Sequence, residues 1–161
     1  MFNPGLNPDA NLPRFAPLPA RDREVSLLIA VSVFTHLVQD QAVRYLDELA
    51  RVLRPDGVAL ASFFLFEKRY FPMLQDFQNA LYVNDRDPTN AVIFDRDWLL
   101  DELANRDLGV KAAHPPPIRG HQWNLEIGLG PHTTRPGEDH GPFGRLPPPV
   151  PDLSRDSIGR N

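Results

Sequence analysis

Two nearly unbroken apolar runs constrain this chain more than any other feature. The first begins at Val25 and ends at Val31 (VSLLIAV), and the second begins at Val58 and ends at Phe66 (VALASFFLF). Runs this short, rich in β-branched and aromatic residues, suit strands buried on both faces of a parallel sheet. A buried helix is the competing reading of the first run, because periodicity alone does not separate the two. Between the runs, Val43, Leu46, Leu49, Ala50 and Leu53 recur at helical spacing, while Arg44, Asp47, Glu48, Arg51 and Arg54 fill the opposite, wet face. Asp40 is placed to cap this helix, Pro55 to end it, and Pro55-Asp56-Gly57 to turn the chain. Strand, helix and parallel strand then form a βαβ crossover.

The rest of the chain divides by composition. Residues 1–24 carry five prolines and predict an irregular N-terminal segment. Phe71, Leu74, Phe77 and Leu81 follow the second run at helical spacing, and NDRDPTN (84–90) reads as a loop. Asp95 is expected to cap a second helix with Leu99, Leu100, Leu103 and Leu108 inward and Gly109 as its stop. VKAA (110–113) and HQWNLEIGL (121–129) read as two short strands, the second alternating through Trp123, Leu125 and Ile127, and together they suggest an antiparallel pair. Seven prolines lie in 131–151, with few apolar residues among them, so 131–161 is expected to be a Pro/Gly-rich disordered tail. Within it RLPPPVP (145–151) could form a polyproline II segment, against the plainer reading of a solvated tail.

Several function classes are excluded at this stage. The net charge is −4 and the basic residues do not cluster, so nucleic acid is not the expected partner. The chain has no cysteine, which removes disulfides, thiolate catalysis and Cys-based zinc sites and fits a cytoplasmic location. No apolar run is long enough to span a bilayer. Asp85, Asp87, Asp95, Asp97 and Asp101 do not have calcium-loop spacing, and His114, His121, His132 and His140 form no helix pair, so no metal is predicted.

SVFTHL (32–37), followed by YLDELARVLRPDGVALASFFLF (45–66), resembles the class I S-adenosylmethionine-dependent methyltransferases. Asp56 stands where that family usually has the first glycine of a pair, and Gly57, the position that most often needs positive φ, is kept. FNPGLNPDANL (2–12) is similar to the segment after the third family strand, and RGHQWNLEIGL (119–129) to the last one. The resemblance implies an α/β fold made of the C-terminal half of a Rossmann-like methyltransferase sheet, strands four to seven with flanking helices. On that reading residues 25–130 are a partial methyltransferase domain. No G-x-G-x-G loop is found, and GLG (128–130) follows the last strand without opening a helix. The resemblance thus implies a chain without the glycine-rich cofactor loop and inactive alone. The start would then be set too late, or the gene truncated.

The implied cofactor is S-adenosylmethionine, bordered by Val31, Ser32 and Val33 at the end of strand four and by His36, with transfer to an O, N or C atom of a small-molecule acceptor. For Val31, Ser32 and Val33 the alternative is a plain strand terminus. His36 is either a polar group at the pocket mouth that acts as acid or base, or a side chain bonded to the next helix, and Thr35 has the same alternative. Phe63, Phe64, Phe66, Tyr70 and Phe71 lie at or after the carboxyl end of strand five, where ligand sites collect, although packing explains Phe63 and Phe64. No catalytic residue is assigned. The alternative function is a truncated, inactive half-domain, a remnant or an interaction partner, that self-associates or takes a partner chain through the exposed edge of the strand from Val25 to Val31.

Overall fold

The computed structural model describes residues 15–116, 121–133 and 143. The strands are β1 (Val25–Ala30), β2 (Leu53–Phe66), β3 (Ala80–Tyr82), β4 (Val92–Asp95), β5 (Leu108–His114) and β6 (Trp123–Leu129), and the helices are α1 (Gln39–Val52) and α2 (Arg96–Ala104). One sheet runs in the order β3-β4-β2-β6-β5, with β1 also beside β2. The length of β2 makes this possible. Its first half pairs in parallel with β1, Leu27 opposite Val58 and Ala30 opposite Ala61. Its last residues pair in parallel with β4. Its other edge takes β6 antiparallel, and β6 takes β5 antiparallel in turn.

The expectation of a half-sheet, strands four to seven only, is corrected by this topology. Six strands and two helices come close to a complete Rossmann-like arrangement. The reading of a C-terminal part alone falls with it, and so does the inference that the chain is a truncated half-domain lacking its cofactor loop and inactive by itself. The physical reason lies in residues 67–95. Their helical spacing of Phe71, Leu74, Phe77 and Leu81 forms no helix: a single 3-10 turn (Lys68–Tyr70) leads through turns into β3, which pairs with β4. Phe71 and Phe77 are exposed, so the periodic apolar positions share no buried face.

The crossover helix packs Ala42, Tyr45, Leu46, Leu49 and Val52 into the core. Val38, in extended conformation, is its N-cap, and Gln41 Oε1 reaches back to accept the Val38 N–H at 3.3 Å. Asp40 therefore sits in the first turn, not at the cap, where its charge favours the positive end of the helix dipole. The PDG stretch is not a free turn. Val25 pairs with Leu53 and Leu27 with Val58, so residues 54–57 bow out of the ladder as a bulge inside β2. Gly57 is needed there for close approach and not for positive φ: a Cβ would stand 2.6 Å from the Val25 carbonyl oxygen.

β1 departs from the expected two-sided burial. Leu27, Ile29 and Val31 are 60 %, 65 % and 54 % exposed. Its outer edge pairs with none of the described strands. At α2, Asp95 caps as expected, its Oδ2 accepting from Trp98 N at 3.2 Å while Oδ1 accepts from Lys68 N at 2.8 Å. Gly109 does not stop this helix. The turn is made by Asp107 at φ 56°, and Gly109 lies inside β5 against the backbone of Gly130 and Pro131. Trp123, Leu125 and Ile127 alternate inward along β6.

One predicted wet residue is buried. Glu48 accepts from Leu18 N at 2.7 Å and from Arg51 Nε and Nη2 at 2.9 and 2.7 Å. Arg51 also donates to the Ala20 and Leu18 carbonyls, so the pair staples the entry segment to α1. The Arg51 hydrogen bond holds the Glu48 carboxyl below its ordinary pKa of 4.5. A depressed folded-state pKa contributes stability that is complete above the unfolded value and fades as pH falls through the folded one. Urea midpoints followed from pH 7 to pH 3 should therefore fall more for the native chain than for Glu48→Gln. At pH 7 that variant should lose about 1–2 kcal/mol. A pH-independent gap between the two chains would contradict this.

The segment FNPGLNPDANL and the polyproline stretch 145–151 lie outside the described residues, as do His140 and most of the expected tail.

Candidate functional site

The three parallel strands β1, β2 and β4 share one carboxyl edge, and the amino end of antiparallel β6 meets it. Open α/β sheets place ligands along such an edge, because loops diverge there and leave a crevice. Each strand hands over a different group. β1 ends in a turn through Val31, Ser32 and Val33, followed by a 3-10 turn Phe34–His36. β2 hands over to Glu67, β4 ends at the Asp95 cap with Arg96 next in α2, and Gln122 leads into β6 at Trp123 beside them.

The turn after β1 is held tightly. Ser32 adopts φ 54°, a left-handed conformation that non-glycine residues rarely take. Its N–H donates to Ser62 Oγ at 2.7 Å, and its Oγ shares Gln122 Oε1 at 3.1 Å with Ser62 Oγ at 2.5 Å. Three side chains from the turn after β1, from β2 and from the approach to β6 thus meet in one network. Val31 projects its apolar side chain into solvent, Val33 is half-buried, and Phe34 stacks beneath on Phe63 with centroids 4.7 Å apart. Thr35 is fully buried, and its Oγ1 has no hydrogen-bond partner among the described residues.

His36 does not bond the next helix. Its Nδ1 lies 2.9 Å from the Thr89 carbonyl oxygen, in the loop before β4. A carbonyl only accepts, so Nδ1 carries the hydrogen, and in the neutral ring Nε2 is left as the acceptor. Sequence proximity thus assigns His36 to α1, whereas the fold ties it to residue 89.

The predicted aromatic group separates. Phe63 is core and Phe64 and Phe66 are half-buried, while Tyr70 and Phe71 are exposed, Phe71 edge-on to Phe66 at 5.5 Å. Of the histidines, His114 pairs with Glu126 at 2.9 Å, and His132 links the Val110 N–H to the Leu100 carbonyl. Among the described residues no three His, Asp or Glu side chains group as metal ligands, and no helix is long and apolar enough to cross a membrane.

Sequence reasoning passes over Glu67 and Arg96. Both are 7 % exposed, and Arg96 Nη2 lies 3.1 Å from Glu67 Oε1. Arg69 contacts the other carboxylate oxygen. Trp123, Leu65 and Phe66 complete the surroundings, and a cavity of about 50 Å³ remains between them. The available signal was position: a carboxylate ending an apolar strand and an arginine directly after a helix cap, both at the carboxyl edge.

Comparison with known proteins accords with this geometry. A family described as Methyltransferase domain matches residues 9–61, about a third of the chain, spanning β1, the Ser32–His36 turn, α1 and the first half of β2. Among solved structures, the 1,6-didemethyltoxoflavin-N1-methyltransferase of Burkholderia thailandensis, with bound 1,6-didemethyltoxoflavin and S-adenosylhomocysteine, is 15 % identical with TM-score 0.50 over 68 % of this chain and 45 % of that one. A SAM-dependent methyltransferase of Methanosarcina mazei is also 15 % identical, with TM-score 0.49 over 72 % of this chain and 64 % of that one. The chain therefore spans about half to two thirds of the length of these relatives. At such identity the likeness is one of fold. The chain resembles the S-adenosylmethionine-dependent methyltransferases, in sequence over residues 9–61 and in the architecture of its sheet.

Proposed function

We propose that this chain binds S-adenosylmethionine at the carboxyl edge of β1 and serves methyl transfer to an O, N or C atom of a small-molecule acceptor. The observation that carries the reading is the match of residues 9–61 to the methyltransferase family, since it ends inside β2 and so includes the whole β1 turn. The residues there suit such a group: exposed Val31 offers an apolar surface, Ser32 a hydroxyl, and Thr35 Oγ1 is a buried polar atom in need of a partner. When bound, S-adenosylmethionine supplies a methyl group on a sulfonium. The chain's part is positioning, which by itself accounts for much of a bimolecular barrier. The Ser62–Gln122 network fixes the Ser32 backbone. His36, oriented by Thr89, keeps Nε2 able to hold a proton released by an acceptor O–H or N–H.

Calorimetry with the purified chain and S-adenosylhomocysteine is expected to give micromolar affinity, about −8 kcal/mol. Val31→Asp should weaken binding about tenfold with the unfolding midpoint unchanged, because the side chain is exposed. No heat with either S-adenosylmethionine or S-adenosylhomocysteine would overturn the assignment.

A further inference from the structure

Phe143 belongs to none of β1–β6, α1 or α2, yet it is only 6 % exposed. Its ring stands edge-on to the Trp123 indole, centroids 5.3 Å apart and planes at 87°. The Arg96 guanidinium carbon lies over its face, 5.3 Å from the centroid. Beside this seat is the cavity lined by Leu65, Phe66, Glu67, Arg96 and Trp123. A ring is thus in contact with both an indole and a buried cation, with a carboxylate at the wall of the adjoining space.

These are the elements of a recognition site for an electron-rich aromatic ring. A guanidinium over a ring face and an indole at its edge both favour π systems over aliphatic groups of equal size. The cavity of about 50 Å³ exceeds the roughly 10–15 Å³ that one water molecule needs and accommodates a ring substituent. Each Glu67 oxygen retains lone pairs beyond its arginine contact and accepts from a hydroxyl or amino group. The seat also sits at the carboxyl edge that carries the β1 turn.

We propose that the Glu67–Arg96–Trp123 seat binds an aromatic ring bearing a hydroxyl or amino group, and that Phe143 occupies the ring position in cis. Naming this ring as the methyl acceptor rests on the methyl-transfer reading above; the binding site itself does not. A ring already in the seat competes with a free one, so the intact chain binds an added ring more weakly than a chain without Phe143.

The chain has two tryptophans, so in a Trp98→Phe background Trp123 emission reports the seat directly. The probes are 4-methylphenol and toluene, titrated without any methyl donor. The Phe143→Ala chain should bind 4-methylphenol at least tenfold more tightly than the Phe143 chain, and at least tenfold more tightly than it binds toluene. Equal binding of the two probes marks a mere packing cavity and overturns the proposal, as does the absence of saturable binding by a folded chain. Should Phe143→Ala fail to fold, Phe143→Leu keeps apolar volume and removes the π face. It should still bind 4-methylphenol more tightly than the Phe143 chain, and unchanged affinity overturns the proposal. Because no methyl donor is present, failure here leaves the S-adenosylhomocysteine calorimetry standing, and failure there leaves this titration standing.

Discussion

Replacing Phe63 by alanine is expected to cost about 3–5 kcal/mol. Phe63 is fully buried in β2, stacked on Phe34 at 4.7 Å and edge-on to Phe94 at 6.4 Å. It therefore joins the turn after β1 to β2 and β4, and it stands opposite Trp123 in the β2–β6 register. Truncation removes its transfer energy, leaves a cavity and withdraws support from Phe34, which underlies Ser32 and His36. Net stabilities of single domains are about 5–15 kcal/mol, so this loss approaches the total. Urea denaturation followed by circular dichroism measures it. Phe63→Leu, which keeps most of the volume, should lose less than half as much. A Phe63→Ala loss below about 1 kcal/mol would show that the aromatic stack is not the centre of the core.

Arg96→Met is expected to cost about 3–5 kcal/mol, because it leaves a buried carboxylate without its buried partner. Glu67 and Arg96 are both buried, and Arg69, whose side chain is half exposed, is the carboxylate's other cation. The double variant Glu67→Leu/Arg96→Met removes charge and partner together, so most of the loss should return, since apolar replacement of a buried pair is often neutral. Chemical denaturation of the two single variants and the double gives the coupling. Near-additive losses would place the pair in an environment wetter than its exposure indicates. The comparison bears on function as well: a pair retained despite its desolvation cost, at the carboxyl edge and beneath Phe143, is accounted for by recognition more readily than by stability.

Much of the frame was legible from local chemistry. The two apolar runs and the amphipathic stripe between them gave parallel β1 and β2 joined by α1. Asp95 was readable as a cap because a carboxylate before a helix has one obvious set of donors, the free N–H groups of the first turn. Trp123, Leu125 and Ile127 were readable as one strand face by their period of two. Residues 67–95 were not legible. β3 and β4 are three and four residues long, too short to show a period, and the spacing of Phe71, Leu74, Phe77 and Leu81 imitates a helix without a buried face. The half-sheet expectation came from that gap, and from treating strand count as readable from one family pattern.

The candidate site shows the same division. Val31, Ser32 and His36 could be named because they follow an apolar run directly. Their partners could not: Ser62, Thr89 and Gln122 lie 30, 53 and 90 residues away along the chain from the atoms they bond. The sequence by itself determined the crossover, the helix cap and the alternating face of β6, all of which depend on neighbours within a few residues. Only the tertiary structure decided that β2 is long enough to pair with both β1 and β4, that β1 keeps one apolar face in solvent, and that Glu67, Arg96, Trp123 and Phe143 share one seat. Contacts of that kind depend on which distant segments the sheet brings side by side, and no local spacing records that choice.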